Sequence, residues 1–282
     1  EEPEQPEQYE QLTIHDLLLR SSLFQPSSLS TNINIMKDSL PSIDGASLPV
    51  SATALQSTNV EEVDTAISKL NSFFMGPDRL NTKGPVLTYL INQSTLPDIA
   101  HNLCNSMFLM KLPQYATDTQ IPQLSALFLM LFGCLIANTK VLKKAYVKDG
   151  KIQLIEKLCS SNNDIVQAKA VACLGELLSF LARNQEAAPF SIQQSTIKII
   201  VSGLSSKNEL VKHVCVKTVS NVLLSPSLFA EYFDPSLIEK VLSTFDAMNN
   251  MSIVDSYSIL TALFFVSNKA TSLDFPSSVA KQ

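Results

Sequence analysis

The sequence predicts an all-α fold, and three observations carry the prediction. Apolar residues recur three or four positions apart through most of the chain, the spacing of one helix face. Glycine is sparse, 7 in 282 residues, which suits helices and argues against a β-rich or Gly-loop enzyme. One apolar pattern also returns at a fixed interval. Leu158, Ile165, Val166, Ala170, Val171, Leu174 and Leu177 form it first. Leu204, Leu210, Val211, Cys215, Val216, Val219 and Val222 repeat it, and Leu242, Ile253, Val254, Ser258, Ile259, Ala262 and Phe265 repeat it again. Units of ~40–47 residues with two or three helices mark HEAT and armadillo repeats. Such units bury their apolar faces only by stacking, so the expected architecture is an armadillo/HEAT-like α-solenoid preceded by an extended linker.

The elements follow in order. Residues 1–58 read as a mostly disordered linker, acidic and Gln/Pro-rich over the first ten residues and Ser-rich later, with Pro26, Pro41 and Pro49 interrupting any helix. Within it, residues 13–19 fit a short helix capped by Thr13, and Leu40, Ile43 and Leu48 could anchor a strap on the solenoid. Repeats are expected over 59–282. Val60, Val63, Ile67, Leu70, Phe73 and Phe74 define a helix that Gly76-Pro77 stops. A helix over 85–93 follows, starting at Pro85, and another opens near Pro97 and carries Ile99, Leu103, Met107, Phe108 and Met110. The longest apolar helix runs from Pro122 to about Asn138; proline is accepted in a first turn, where its missing N–H would have no partner anyway. A short basic helix over 141–147 ends at Asp149-Gly150. Helix pairs are then expected at 152–159 with 164–183, and at 192–204 with 208–224; Asn162 and Asn163 are cap candidates. A third pair starts at Asp234-Pro235 and ends near Val266.

Composition narrows the function classes. The net charge of −5 comes entirely from Glu1, Glu2, Glu4, Glu7 and Glu10, so the body is balanced and lacks the basic footprint of a nucleic-acid binder. Cys104, Cys134, Cys159, Cys173 and Cys215 are odd in number, lack CxxC spacing and sit in apolar runs, which points to buried thiols in a reducing, cytoplasmic setting. The apolar run from Leu124 to Ala137 is shorter than the ~20 residues of a membrane span and reads as a core helix. No signal peptide opens the sequence, which starts without Met as a fragment would.

Chemical motifs are missing. There is no phosphate loop, dinucleotide fingerprint or nucleophile elbow. His15, His101 and His213 stand far apart without ligand-spaced partners, so ordinary surface or half-buried roles are expected, no cofactor or metal is, and the chain reads as a non-enzyme. The charge feature that stands out is Lys140, Lys143, Lys144 and Lys148, which fall on one face of a helix. Such a face is ordinarily just solvated; its functional reading is docking of an acidic partner such as a tubulin tail. Lys207, Lys212 and Lys217 form a second strip, offset only by Glu209. Trp is absent, so the ladder of Trp and Asn with which armadillo proteins clamp basic peptides cannot exist here, and cargo binding like that of the nuclear import receptors is not expected.

Residues 167–182 (QAKAVACLGELLSFLA), the turn Asn184-Gln185-Glu186, the helix near Ile192 and residues 210–222 (LVKHVCVKTVSNV) carry a resemblance to a family. Together with residues 12–18 (LTIHDLL), they resemble the C-terminal armadillo/HEAT-repeat region and linker of the Fused / Unc-51-like-kinase-four (pseudo)kinase group, over roughly residues 139–266. The resemblance implies a protein-interaction scaffold at microtubules, cilia or in cytokinesis, with tubulin or a kinase-associated cytoskeletal protein as partner. No kinase motif is present, so a kinase domain would lie outside this sequence. Two other readings remain open: a chaperone-cofactor or adaptor solenoid resembling Hsp70 exchange factors, and a regulatory subunit of an enzyme on another chain.

Overall fold

The computed structural model describes residues 49–139, 142, 150–184, 192–223 and 225. Every regular element among them is a helix: α1 (Ala52–Leu55), α2 (Val60–Met75), α3 (Leu80–Gln93), α4 (Pro97–Cys104), α5 (Met107–Asp118), α6 (Pro122–Asn138), α7 (Lys151–Leu158), α8 (Asp164–Arg183), α9 (Gln194–Gly203) and α10 (Glu209–Leu223). The chain is all-α, as the periodicity predicts. The helices stack in rows. α2, α5, α7 and α9 each pack on the next, as do α3, α6, α8 and α10, while α1 packs on α4. The first two repeats therefore show three helices each, the armadillo arrangement, and the next two contribute the pairs α7–α8 and α9–α10. The motif near 13–19, the basic helix over 141–147 apart from Leu142, and the third pair at 234–266 lie outside the described residues.

Hydrogen bonds cross from one repeat to the next. Tyr115 Oη donates to Asn71 Oδ1 (3.1 Å), Cys173 Sγ to the Leu129 carbonyl (3.0 Å) and Asn208 Nδ2 to the Asp164 carbonyl (3.1 Å), each across 44 residues. Caps recur at matching places. Asn163 Oδ1 accepts from the amides of Ile165 and Val166, and Asn208 Oδ1 from those of Leu210 and Val211. Each cap satisfies amides that the first turn leaves without partners.

Helix limits largely match expectation: α6 and α8 have the expected ends, and α2 stops at Gly76. Three places differ. α3 begins at Leu80, so Pro85 lies inside the helix rather than at its start. Lys83 holds the extra turn. Its buried ammonium donates to the carbonyls of Phe74 (2.8 Å) and Gly76 (2.7 Å) and to Asp78 Oδ1 (2.5 Å), tying the start of α3 to the carbonyl end of α2. The stretch read as one helix from Pro97 through Met110 is two, because Ser106 leaves helical geometry and caps α5 through the Phe108 amide (3.2 Å). And α1 precedes Asn59, placing Val50 and Leu55 in the core.

The core changes character along the stack. In the first two repeats Phe74 meets Phe108, Tyr115 and Phe128 with ring centroids 5.9, 6.1 and 5.3 Å apart. In the next two, Leu174 and Val219, paired by the sequence repeat, are both buried as expected. By length and composition α8 could cross a membrane, yet 83% of its apolar window is buried by the protein around it: it is the central helix. A Cβ at Gly175 would collide with Thr218 Oγ1, so glycine lets α8 and α10 approach closely.

Candidate functional site

The lysine face predicted from sequence, Lys140, Lys143, Lys144 and Lys148, lies outside the described residues. The second strip does not form a face. Lys207 is exposed, Lys212 pairs with Glu209 (2.6 Å) and Lys217 is buried, so the three side chains enter different environments. His101 is exposed, its ring against Asn105, and His213 is half-buried, as plain roles require.

All five cysteines are reduced and buried. Burial pushes the thiols of Cys104 and Cys215 up to about 12 and raises those of Cys159 and Cys173 too. Thiols so protonated are poor nucleophiles and poor ligands. Among the described residues no group of three or more His, Cys, Asp or Glu is placed to hold a metal ion. Two open depressions of about 570 and 500 Å³ border α2, both lined by Thr65 and Lys69 on its exposed side.

The polar chemistry that demands explanation is buried. It lies on α8 and α10, in the row that runs through the middle of the stack. Lys169, Glu176 and Ser179 project from α8, and Lys217 and Asn221 from α10; none is more than 7% exposed. Lys169 Nζ lies 3.4 Å from Met130 Sδ on α6. Burial lowers its pKa to about 8, and the nearby thiols of Cys134 and Cys173 act the other way. Glu176 moves in the opposite sense. Burial pushes its carboxyl up to about 8, while Arg183 and Lys217 favour the charged form without winning. Asn221 Nδ2 donates to Ser179 Oγ at 3.0 Å, which joins α10 to α8. Two oxygens at this junction, Glu176 Oε2 and Asn221 Oδ1, are buried and have no hydrogen-bond partner. Buried polar atoms nearly always find one, so these two call for an explanation.

Sequence reasoning missed these residues. The signal was there: aligning Leu174 with Val219 also aligns Glu176 with Asn221, a polar column inside an otherwise apolar repeat. Periodicity alone treats a lone charge in such a run as the edge of the apolar face.

No family model matches the sequence, and no curated protein matches it significantly. Solved structures do. Two engineered proteins from the Northeast Structural Genomics Consortium each align with a TM-score of 0.52 at 12% identity. One alignment covers 86% of this chain and 97% of the engineered one, the other 90% and 98%. A designed armadillo repeat protein in complex with the peptide (KR)4 aligns with a TM-score of 0.48 at 12% identity, covering 86% and 99%. At this identity the two engineered proteins speak for the fold alone. With the three-helix repeats and the matching caps of Asn163 and Asn208, the fold is an armadillo-like α-solenoid.

Proposed function

We propose that this chain is a non-catalytic scaffold that binds other proteins along the row formed by α3, α6, α8 and α10. One observation supports this most directly. In successive repeats, the same column carries Glu176 and Asn221, each with a buried acceptor oxygen that the described residues leave unsatisfied. Apolar stacking does not require such groups, and burying them costs stability, on the order of 1–3 kcal/mol each. Stacked repeats also present equivalent helices at regular intervals, ~10 Å per repeat, and the row of α3, α6, α8 and α10 is such a series.

For the partner we carry forward the family resemblance: a scaffold of the Fused / Unc-51-like-kinase-four type, cytoplasmic, acting at microtubules or cilia, with tubulin or an associated cytoskeletal protein as ligand. Lys140, Lys143, Lys144 and Lys148 would speed encounter with acidic tubulin tails more than they would tighten the complex. The test is co-sedimentation of the 282-residue chain with microtubules at low and moderate salt. The parent chain should pellet at low salt, and changing the four lysines together to Glu should weaken pelleting without lowering the melting temperature. Failure of the parent to pellet would sink the cytoskeletal reading; equal pelleting of the two chains would sink the role of the lysines.

A further inference from the structure

We propose that Glu176 is held as the neutral acid and that its hydroxyl donates to Asn221 Oδ1, so that a single proton closes the junction between the third and fourth repeats. The proposal rests on the site just described and concerns its regulation.

The starting point is an imbalance of donors and acceptors. An ionised glutamate only accepts, and so does an amide oxygen. With Glu176 charged, the junction therefore holds two acceptors, Glu176 Oε2 and Asn221 Oδ1, that no donor reaches. One proton on Glu176 converts an acceptor into a donor and can satisfy both atoms with one bond. The backbone brings the partners together. Asn221 is already tied to Ser179, one turn beyond Glu176 on α8, and α8 and α10 touch at Gly175 and Thr218, the neighbours in sequence of Glu176 and of the Asn221 turn. Asn221 uses its Nδ2 on Ser179, so its oxygen is the end left over, and an oxygen is what a carboxylic acid needs.

The surrounding charges set the balance. Arg183 on α8 and Lys217 on α10 favour the ionised form, and complete burial opposes it more strongly. The carboxyl consequently titrates near 8, which leaves it mostly neutral at and below pH 7. The other helices around α8 add little. α6 carries no ionisable group except Cys134. On α7, the Glu156 carboxylate is occupied by the hydroxyls of Ser195 and Thr196 (2.9 and 2.5 Å), Lys157 is exposed and Lys151 stands at the helix start. On α9, Lys198 is exposed. Lys169 and the Cys173 thiol share α8 with Glu176. Closed, the junction satisfies itself. With the proton lost, the junction holds two buried acceptors and no donor between them, so alkaline conditions would loosen the contact of α8 with α10.

Two measurements on the 282-residue chain test this. Isotope-edited infrared spectroscopy of the parent should show a protonated glutamate carbonyl band that is present at pH 6 and disappears with a midpoint near 8. That band should be absent in Glu176→Gln and shifted to higher frequency in Asn221→Ala, where the acid loses its acceptor. Thermal unfolding gives the second. Glu176→Gln keeps a donor at the same place, so it should match the parent at pH 6 and lose less of its melting temperature between pH 6 and 9. Adding Asn221→Ala should cost Glu176→Gln as much as it costs the parent at pH 6, and cost the parent less at pH 9. No protonated band at pH 6, or a band unmoved by Asn221→Ala, would overturn the proposal even if Glu176→Gln failed to fold. A failure of microtubule binding would leave these readouts untouched and so falls on the cytoskeletal reading alone.

Discussion

The two halves of the described stack solve the same packing problem with different materials. In the first two repeats, Phe73, Phe74, Phe108, Tyr115 and Phe128 fill the centre. The one buried charge there, Lys83, meets three acceptors at once. In the next two repeats the centre is built mainly from small and branched side chains, with Phe180 as its large ring, and Lys169, Glu176 and Lys217 are buried among them. The two regions differ in what burial costs: the aromatic half has little left unsatisfied, while the polar half holds two orphaned acceptors. Aromatic packing and buried polar chemistry are thus separated along one repeat array, an arrangement available to a body whose repeats contact only their neighbours.

The comparison can be broken most directly at Phe74. Phe74→Ala removes the ring around which the aromatic cluster gathers and should cost about 3–5 kcal/mol, read as a lower denaturant midpoint in urea. Leu174→Ala at the centre of α8 should cost about 2–5 kcal/mol. If the small-side-chain half relaxes around the cavity more easily, its loss will fall toward the lower end of that range, and a change within noise would refute the repeat register.

Lys83→Met comes next. It leaves the carbonyls of Phe74 and Gly76 and the Asp78 carboxylate without their donor, at a cost of about 3 kcal/mol. Asp78 is affected as well: burial alone would raise its pKa, but bonds from Lys83 and Thr119 and the Lys83 charge hold it below the usual value. Its contribution is present above that usual value and is lost as pH falls through the lowered one, so the parent should lose an acid-sensitive increment that Lys83→Met lacks.

The polar half should show a different pH response. The folded-state pKa of Glu176, about 8, lies above its ordinary 4.5, so its contribution to stability is complete below 4.5 and is lost as pH rises to about 8. The folded-state pKa of Lys169, about 8, lies below its ordinary 10.5, so its contribution is complete above 10.5 and is lost as pH falls to about 8. Together they predict a stability minimum near pH 8. Lys169→Met should remove the alkaline limb and leave the acid limb; melting curves from pH 5 to 10 that rise steadily through 8 would contradict both assignments. The smallest expected effect is at a cap. Asn208→Ala should cost about 1 kcal/mol by freeing the amides of Leu210 and Val211 and the bond to the Asp164 carbonyl.

Much of this architecture could be read from the sequence because it depends on local rules. The limits of α6 and α8 followed from a proline, an asparagine cap and unbroken apolar spacing. The burial of Leu174 and Val219 followed from the repeat. What could not be read depended on contacts across space. Pro85 reads as a helix start until Lys83 reaches back to α2 and holds another turn ahead of it. Ser106 interrupts a continuous apolar pattern because its hydroxyl caps a new helix, and periodicity does not register a hydroxyl. Lys217 looked like a member of a surface strip because sequence spacing does not show which face of α10 meets α8. The candidate site was half hidden for the same reason: the repeat alignment puts Glu176 and Asn221 in one column, and only the stacking of α8 on α10 shows that both are buried.

Three inter-repeat hydrogen bonds that each span 44 residues also bear on how the chain reaches this state. Tyr115 with Asn71, Cys173 with Leu129 and Asn208 with Asp164 each close a loop of the same length, wherever they lie in the array. The entropy lost in closing a loop grows only with the logarithm of its length, and none of these contacts joins the first repeat to the last. Search time should therefore be set by one repeat meeting the next rather than by the whole chain, and folding can start at whichever junction forms first and spread both ways. The aromatic junction around Phe74 has the most apolar surface to gain early. The polar junction around Glu176 would then zip onto a partly built template, and would be the first to come apart when the chain is pulled or warmed.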